Sequence, residues 1–430
     1  MDRYFPLKKL PAKAGYKKGD VFVLIGELFG RGYANGIVDE ARKAGMTIIG
    51  TTVGRRDSDG ILRPLNAEEL AAAEANLGGR IVNIPLEAGF DMEQAADGQS
   101  YADLLKSVKP DSYESFVCDK ERLREVRAKG SARFKNNLAG VVAELQKEIP
   151  AGVNVLFSHA MAGGIPRVRL FMPLLNRVFK GTGDRYLASA EFWKSGLGEL
   201  CQASFNEVSA DTFAYLLEAT ATLRATNAVR YTAYGYHGCE VLVNGVYTWQ
   251  SYTPYVQGWA KIRLEDHAIK AKEQGIIATV YNCPEIQTNS SALFMGVEIS
   301  LYPLLEAIIK EGESAAARSV CAECQELLND GVSIADLLKA ADKYLSSPVL
   351  KQFDKLSEWP HHNTAEQMEL MLTASAELIA MNKFPKEIVC APLSRVVFQS
   401  TGYLMFHDSW APEKPVAWLN HDIIAKCLNS

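Results

Sequence analysis

A chain of 430 residues that is 48% hydrophobic and 23% charged can bury a large core, as one α/β unit with additions or as two domains. Its formal net charge of -5 disfavours a nucleic-acid partner, and no apolar run reaches the roughly 18 residues of a membrane span. The opening MDRYFPLKKLPAKAGYKKGD lacks the apolar centre of a secretory signal, and the scattered cysteines form no disulfide framework, so the expected location is cytoplasmic. Cys321-x2-Cys324 stands alone in a helical pattern and His361-His362 lacks matching ligands, so no metal site is expected.

In chain order, VFVLI at 21–25 reads as a buried strand, followed by a glycine-rich turn, a helix whose apolar side carries Ile37, Val38 and Ala41, and a second strand, MTIIGTTV. The alternation continues with a helix at 67–76 and a strand at 79–86. Residues 87–117 are polar and irregular and read as an insertion. A charged helix at 119–148, a strand at 153–160, a long helix at 196–224 and strands at 229–236 and 276–283 complete the pattern. The spacing predicts a Rossmann-type doubly wound parallel sheet over residues 1–315, with a mainly helical extension at 316–430 packed on that body.

The first β-α turn holds Gly26, Phe29, Gly30, Arg31 and Gly32. Glycines after a strand and before a helix let a pyrophosphate approach backbone N–H groups at a helix N-terminus, so all five residues are candidates to bind a dinucleotide. A purely structural turn is the alternative. The second strand ends in Gly54-Arg55-Arg56, without the acid that usually holds the ribose 2′-hydroxyl of NADH. Guanidinium groups there could pair with a 2′-phosphate, which favours NADPH and leaves NADH possible. Asp57 could take the ribose instead.

Further on, SYTPYVQGWAKIRLEDHA (251–268) brings Tyr252 and Lys261 close to a helix start. One continuous helix would turn them apart. Pro254 favours a start in the preceding loop, which frees Tyr252 to reach a nicotinamide while Lys261 stays on the helix.

Tyr-x8-Lys with Gly258 resembles the FabV-type enoyl-ACP reductases and the trans-2-enoyl-CoA reductases, a divergent group similar to the short-chain dehydrogenases/reductases. The glycine turn, F157-S-H-A160, T232-A-Y-G-Y-H-G238 and T288-N-S-S-A292 are similar to segments of that family. The resemblance implies NAD(P)H-dependent reduction of the carbon–carbon double bond of an enoyl thioester carried by CoA or acyl carrier protein. It implies Tyr252 and Tyr236 as phenols at the thioester oxygen, and Lys261 on the ribose, lowering the tyrosine pKa. Ser158 and Ala160 would then line the nicotinamide, and Thr288 and Ser290 would contact its carboxamide or a phosphate. A carbonyl reductase and a catalytically silent dinucleotide-binding protein are the alternatives. Oligomeric state is not readable from the sequence.

Overall fold

Apolar strands set the frame. In β1 (Val21–Ile25) every residue is buried, and its side chains alternate between two cores. Phe22 and Leu24 face one, and Val21, Val23 and Ile25 face the other. A strand covered on both faces belongs in the middle of a parallel sheet. The computed structural model describes residues 3–30, 32–288, 296–350 and 355–430. The further strands are β2 (Thr47–Thr52), β3 (Arg55–Arg56), β4 (Leu62–Arg63), β5 (Arg80–Pro85), β6 (Asn154–His159), β7 (Ala228–Gly235), β8 (Gly238–Val243), β9 (Val246–Ser251), β10 (Ala278–Asn282) and β11 (Val416–Trp418).

Seven of them form one sheet in the order β11-β10-β7-β6-β1-β2-β5, and every pairing within it is parallel. This is the doubly wound Rossmann order with one added edge strand. Its direction of winding reverses between β1 and β6, where such sheets open a crevice for ligands. Residues of the 87–117 segment, including Phe90, Tyr101 and Tyr113, share a third apolar cluster with helix Phe171–Lys180 and helix Gly196–Asn206.

Two local departures from the sequence expectations shape the site. The helix expected across 196–224 is broken by a wider π turn at Glu207–Asp211 and again at Thr220. Ion pairs from Arg127 to Glu207 and Asp211, and from Arg263 to Asp211, each at 2.6 Å, hold that widened turn. Between β7 and Tyr252 lies an antiparallel hairpin, β8–β9, where no strand was expected. Asn244 and Gly245 both have positive φ (48° and 77°), the geometry of a tight Asn-Gly hairpin turn.

The C-terminal extension is built into the body. Helix Cys390–Asp408 crosses helix Ala34–Lys43 at a glycine contact, where a Cβ added to Gly402 would stand 2.1 Å from the carbonyl carbon of Gly36. Strand β11 completes the sheet edge, and the N-terminal segment pairs with it through Leu7 N–H to Trp418 O (2.9 Å).

Candidate active site

The crevice between β1 and β6 is narrow at its base. Ala160 N–H donates to Ile25 O (2.8 Å), and Gly26, at φ +117°, lies so near that a Cβ would touch the Ala160 carbonyl carbon at 3.4 Å. At Gly30 and Gly32 an added Cβ would meet nothing within 4 Å, which leaves the backbone open to a ligand. Asn35 Nδ2 donates to Phe29 O (2.8 Å) and Gly32 O (3.0 Å) and so fixes the turn, with the Phe29 ring exposed. No side chain caps the following helix, and its first turn holds no acid. These features fit the pyrophosphate of a dinucleotide. Arg31 and Ser290 lie outside the described residues.

Neither arginine after β2 stands free. Arg55 Nη1 lies 2.7 Å from Glu27 Oε1, and Arg56 pairs with Glu87. Glu27 leaves the glycine turn and reaches across to the end of β2, where it accepts from Thr52 Oγ1 (2.5 Å) and Val53 N–H (3.2 Å). A carboxylate therefore sits at the strand end where a ribose is held in such folds, supplied by the first turn rather than by β2.

Helix Val256–Glu273 begins two residues after Pro254, so Tyr252 stands in the preceding loop. Gly258 has a steric role: a Cβ there would come within 2.2 Å of Tyr252 O and 2.8 Å of Tyr236 O. The bare helix turn is thereby seated against both tyrosines. One helical turn on, Lys261 is buried, and its Nζ donates to Met161 O (3.2 Å) and Ser209 O (3.3 Å), at the exit of β6 and in the π turn. Burial draws its pKa down to about 7.

The rings of Tyr236 and Tyr252 stack with centroids 4.4 Å apart. Tyr236 Oη donates to Glu285. Tyr252 Oη is buried and meets no carboxylate among the described residues; Ser300 and the Glu285 backbone lie beside it, short of full hydrogen-bond geometry. Burial pushes its pKa well above 10, Cys239 and Glu285 add to that, and Ser300 with the Glu285 backbone acts in the opposite sense. The expected lowering of this phenol by Lys261 is not what the structure gives, because desolvation dominates and the amine is turned to two carbonyls.

Tyr252 also lines an apolar cavity of ≈ 130 Å³, with Trp249, Tyr255, Val297, Met368 and Met371 among its walls. Ser158 is buried on β6 with Oγ unpartnered among the described residues. Thr288 follows Gln287, whose N–H donates to Ser394 Oγ (2.9 Å).

Residues 3–428 match the family described as "Enoyl-acyl carrier protein reductase FabMG". The chain belongs to that family. It is an oxidoreductase that reduces enoyl thioesters with a reduced nicotinamide dinucleotide. It is 50% identical to the apo structure of FabMG, described as a novel type of enoyl-acyl carrier protein reductase, covering 100% of this chain and 99% of that one with a TM-score of 0.95. It is 41% identical to an NADH-bound FabMG structure, with the same coverage and a TM-score of 0.81. No curated protein matches the chain.

Three residues of this candidate site were not anticipated from the sequence. Glu27 sits inside the glycine turn, where an acid carries no pattern of its own. Tyr33 Oη donates to Pro284 O and ties that turn to the β10 exit. Glu285 is 4% exposed and meets Tyr236 only through the fold.

Proposed function

We propose that the chain reduces an enoyl group presented on acyl carrier protein, using NADH, with Tyr252 as the phenol that meets the thioester oxygen. The observation that carries this reading is the Tyr252 hydroxyl, held by no carboxylate among the described residues and set in the wall of an apolar cavity. Bound NADH supplies the hydride that goes to the β-carbon. As it arrives, negative charge gathers on the thioester oxygen, and a phenol hydrogen bond there is worth about a hundredfold or more in rate. Tyr252 donates that bond, and a proton reaches the α-carbon from it or through water. Lys261 would hold the ribose hydroxyls, Ser158 and Ala160 would line the nicotinamide, and Thr288 would contact its carboxamide or a phosphate, a role the sequence also gives to Ser290, which lies outside the described residues. Trp249, Met368 and Met371 hold the acyl chain and keep water out.

The choice of NADH rests on Glu27, whose carboxylate would accept from a 2′-hydroxyl and repel a 2′-phosphate, and on Arg55 and Arg56 being engaged by acids. The NADH-bound relative agrees with it. Tyr-x8-Lys supports kinship with the FabV-type enzymes. Eight free cysteines suit a reducing cytoplasm.

The test is nicotinamide oxidation with crotonyl thioesters, comparing NADH with NADPH and wild type with Glu27→Gln. Turnover with NADH favoured at least about tenfold, and a preference that narrows in Glu27→Gln, is the expected result. Oxidation of NADH by ketones but by no enoyl thioester would overturn the reading.

A further inference from the structure

Tyr236 and Tyr252 stack on one another, yet their surroundings differ in a way that separates their roles. Beyond β10 the chain turns through Cys283, Pro284 and Glu285. Tyr33 fixes that turn from the dinucleotide side by donating to Pro284 O. Glu285 is buried, and its Oε2 accepts the hydroxyl hydrogen of Tyr236. The Tyr236 ring, held by that bond, stacks on Tyr252 at 4.4 Å with 20° between the ring planes. Tyr252 Oη is held by no carboxylate among the described residues, with only the weaker approach of Ser300 and the Glu285 backbone beside it.

We infer that Glu285 is a positioning residue: by taking the Tyr236 hydroxyl hydrogen it leaves Tyr252 as the single phenol donor for the thioester oxygen, and it fixes Tyr236 as the plate against which the Tyr252 ring is oriented. This deepens the proposed function and rests on it. A phenol has one hydrogen to give, and the Glu285 oxygen that accepts it leaves Tyr236 only lone pairs. Once Tyr236 donates to Glu285, it can offer the cleft only lone pairs, which would repel a developing oxyanion. Tyr252, whose hydrogen no carboxylate takes among the described residues, is the group able to strengthen its bond as charge appears. In this arrangement the effect of Glu285 passes through the two rings.

The test compares Tyr252→Phe, Tyr236→Phe and the double variant Tyr252→Phe/Glu285→Leu, with kcat and KM for NADH measured on a crotonyl thioester. Tyr252→Phe is expected to lower kcat about a hundredfold with little change in KM for NADH. Tyr236→Phe is expected to cost only several-fold, through looser orientation. Replacing Glu285 by leucine in the Tyr252→Phe background releases the Tyr236 hydroxyl, and kcat is expected to recover at least about tenfold, whereas a purely structural carboxylate would give a further loss. Equal losses in Tyr236→Phe and Tyr252→Phe would overturn the inference, and that comparison decides it even where the leucine variant fails to fold. Turnover by wild type tests the enoyl reductase reading separately. If wild type reduces the thioester and the variants fall in the wrong order, Glu285 is misassigned and the function stands.

Discussion

Lys261 reaches the crevice by giving up its hydration, and that has a thermodynamic signature. Folded, its ammonium titrates at about 7, against 10.5 for the ordinary side chain, and burial is the cause. Between those two values the unfolded chain binds the proton that the folded chain rejects. Stability from this group therefore rises with pH across that window, and the full penalty is present below about pH 7. Lys261→Met removes the titration while losing the two carbonyl contacts at every pH. Thermal denaturation of the variant against wild type should show its relative stability highest near neutral pH and declining steadily toward about pH 10. A difference in Tm that stays flat over this range would contradict a buried, depressed lysine.

The glycine crossing gives the corresponding test among the elements. An alanine methyl at position 402 would fall 2.1–2.4 Å from the backbone of Gly36 and Ile37, atoms that no rotamer change can move away. Gly402→Ala should cost about 1–3 kcal/mol or more of unfolding free energy in urea, and should weaken NADH binding because the helix of the dinucleotide turn must shift. An unchanged urea midpoint would show that the two helices can part at no cost. Elements whose burial is written locally were legible in the sequence: VFVLI as a central strand, the glycines before Ala34, the helix start after Pro254 that frees Tyr252. What stayed hidden depends on contacts between distant segments. Nothing near Glu207 announces a π turn, since Arg127 and Arg263 arrive from other helices. Glu285 and Tyr236 are 49 residues apart. The β8–β9 hairpin differs, because Asn244-Gly245 between alternating runs encodes it in the open.

Over the whole molecule the charge is uneven. The chain carries -5, yet residues 167–194 hold six cations against two acids. Arg177, Lys180, Arg185 and Lys194 form no ion pair among the described residues, and Asn363 of the cavity wall is tied to this segment through Val178 O (3.0 Å) and Tyr186 Oη (3.1 Å). An acidic carrier protein would be drawn to that side of the cavity. Reversing two exposed charges, Arg185→Glu with Lys194→Glu, should raise KM for an enoyl carrier protein about tenfold at low salt and leave KM for the uncharged N-acetylcysteamine thioester unchanged. Equal KM changes for both substrates would refute a role in carrier docking.

The sheet's outer edge also sets the order in which the molecule can be assembled. β11 comes from residues 416–418, and it is flanked on its free side by the segment around Leu7. A chain growing on the ribosome can form the strand pairs from β1 to β10, but the segment around Leu7 must wait, unpaired, until β11 has emerged. Its sheet is thus completed by a closure between the segment around Leu7 and residues 416–418, and synthesis stalled short of Val416 would leave an open sheet edge available to other chains.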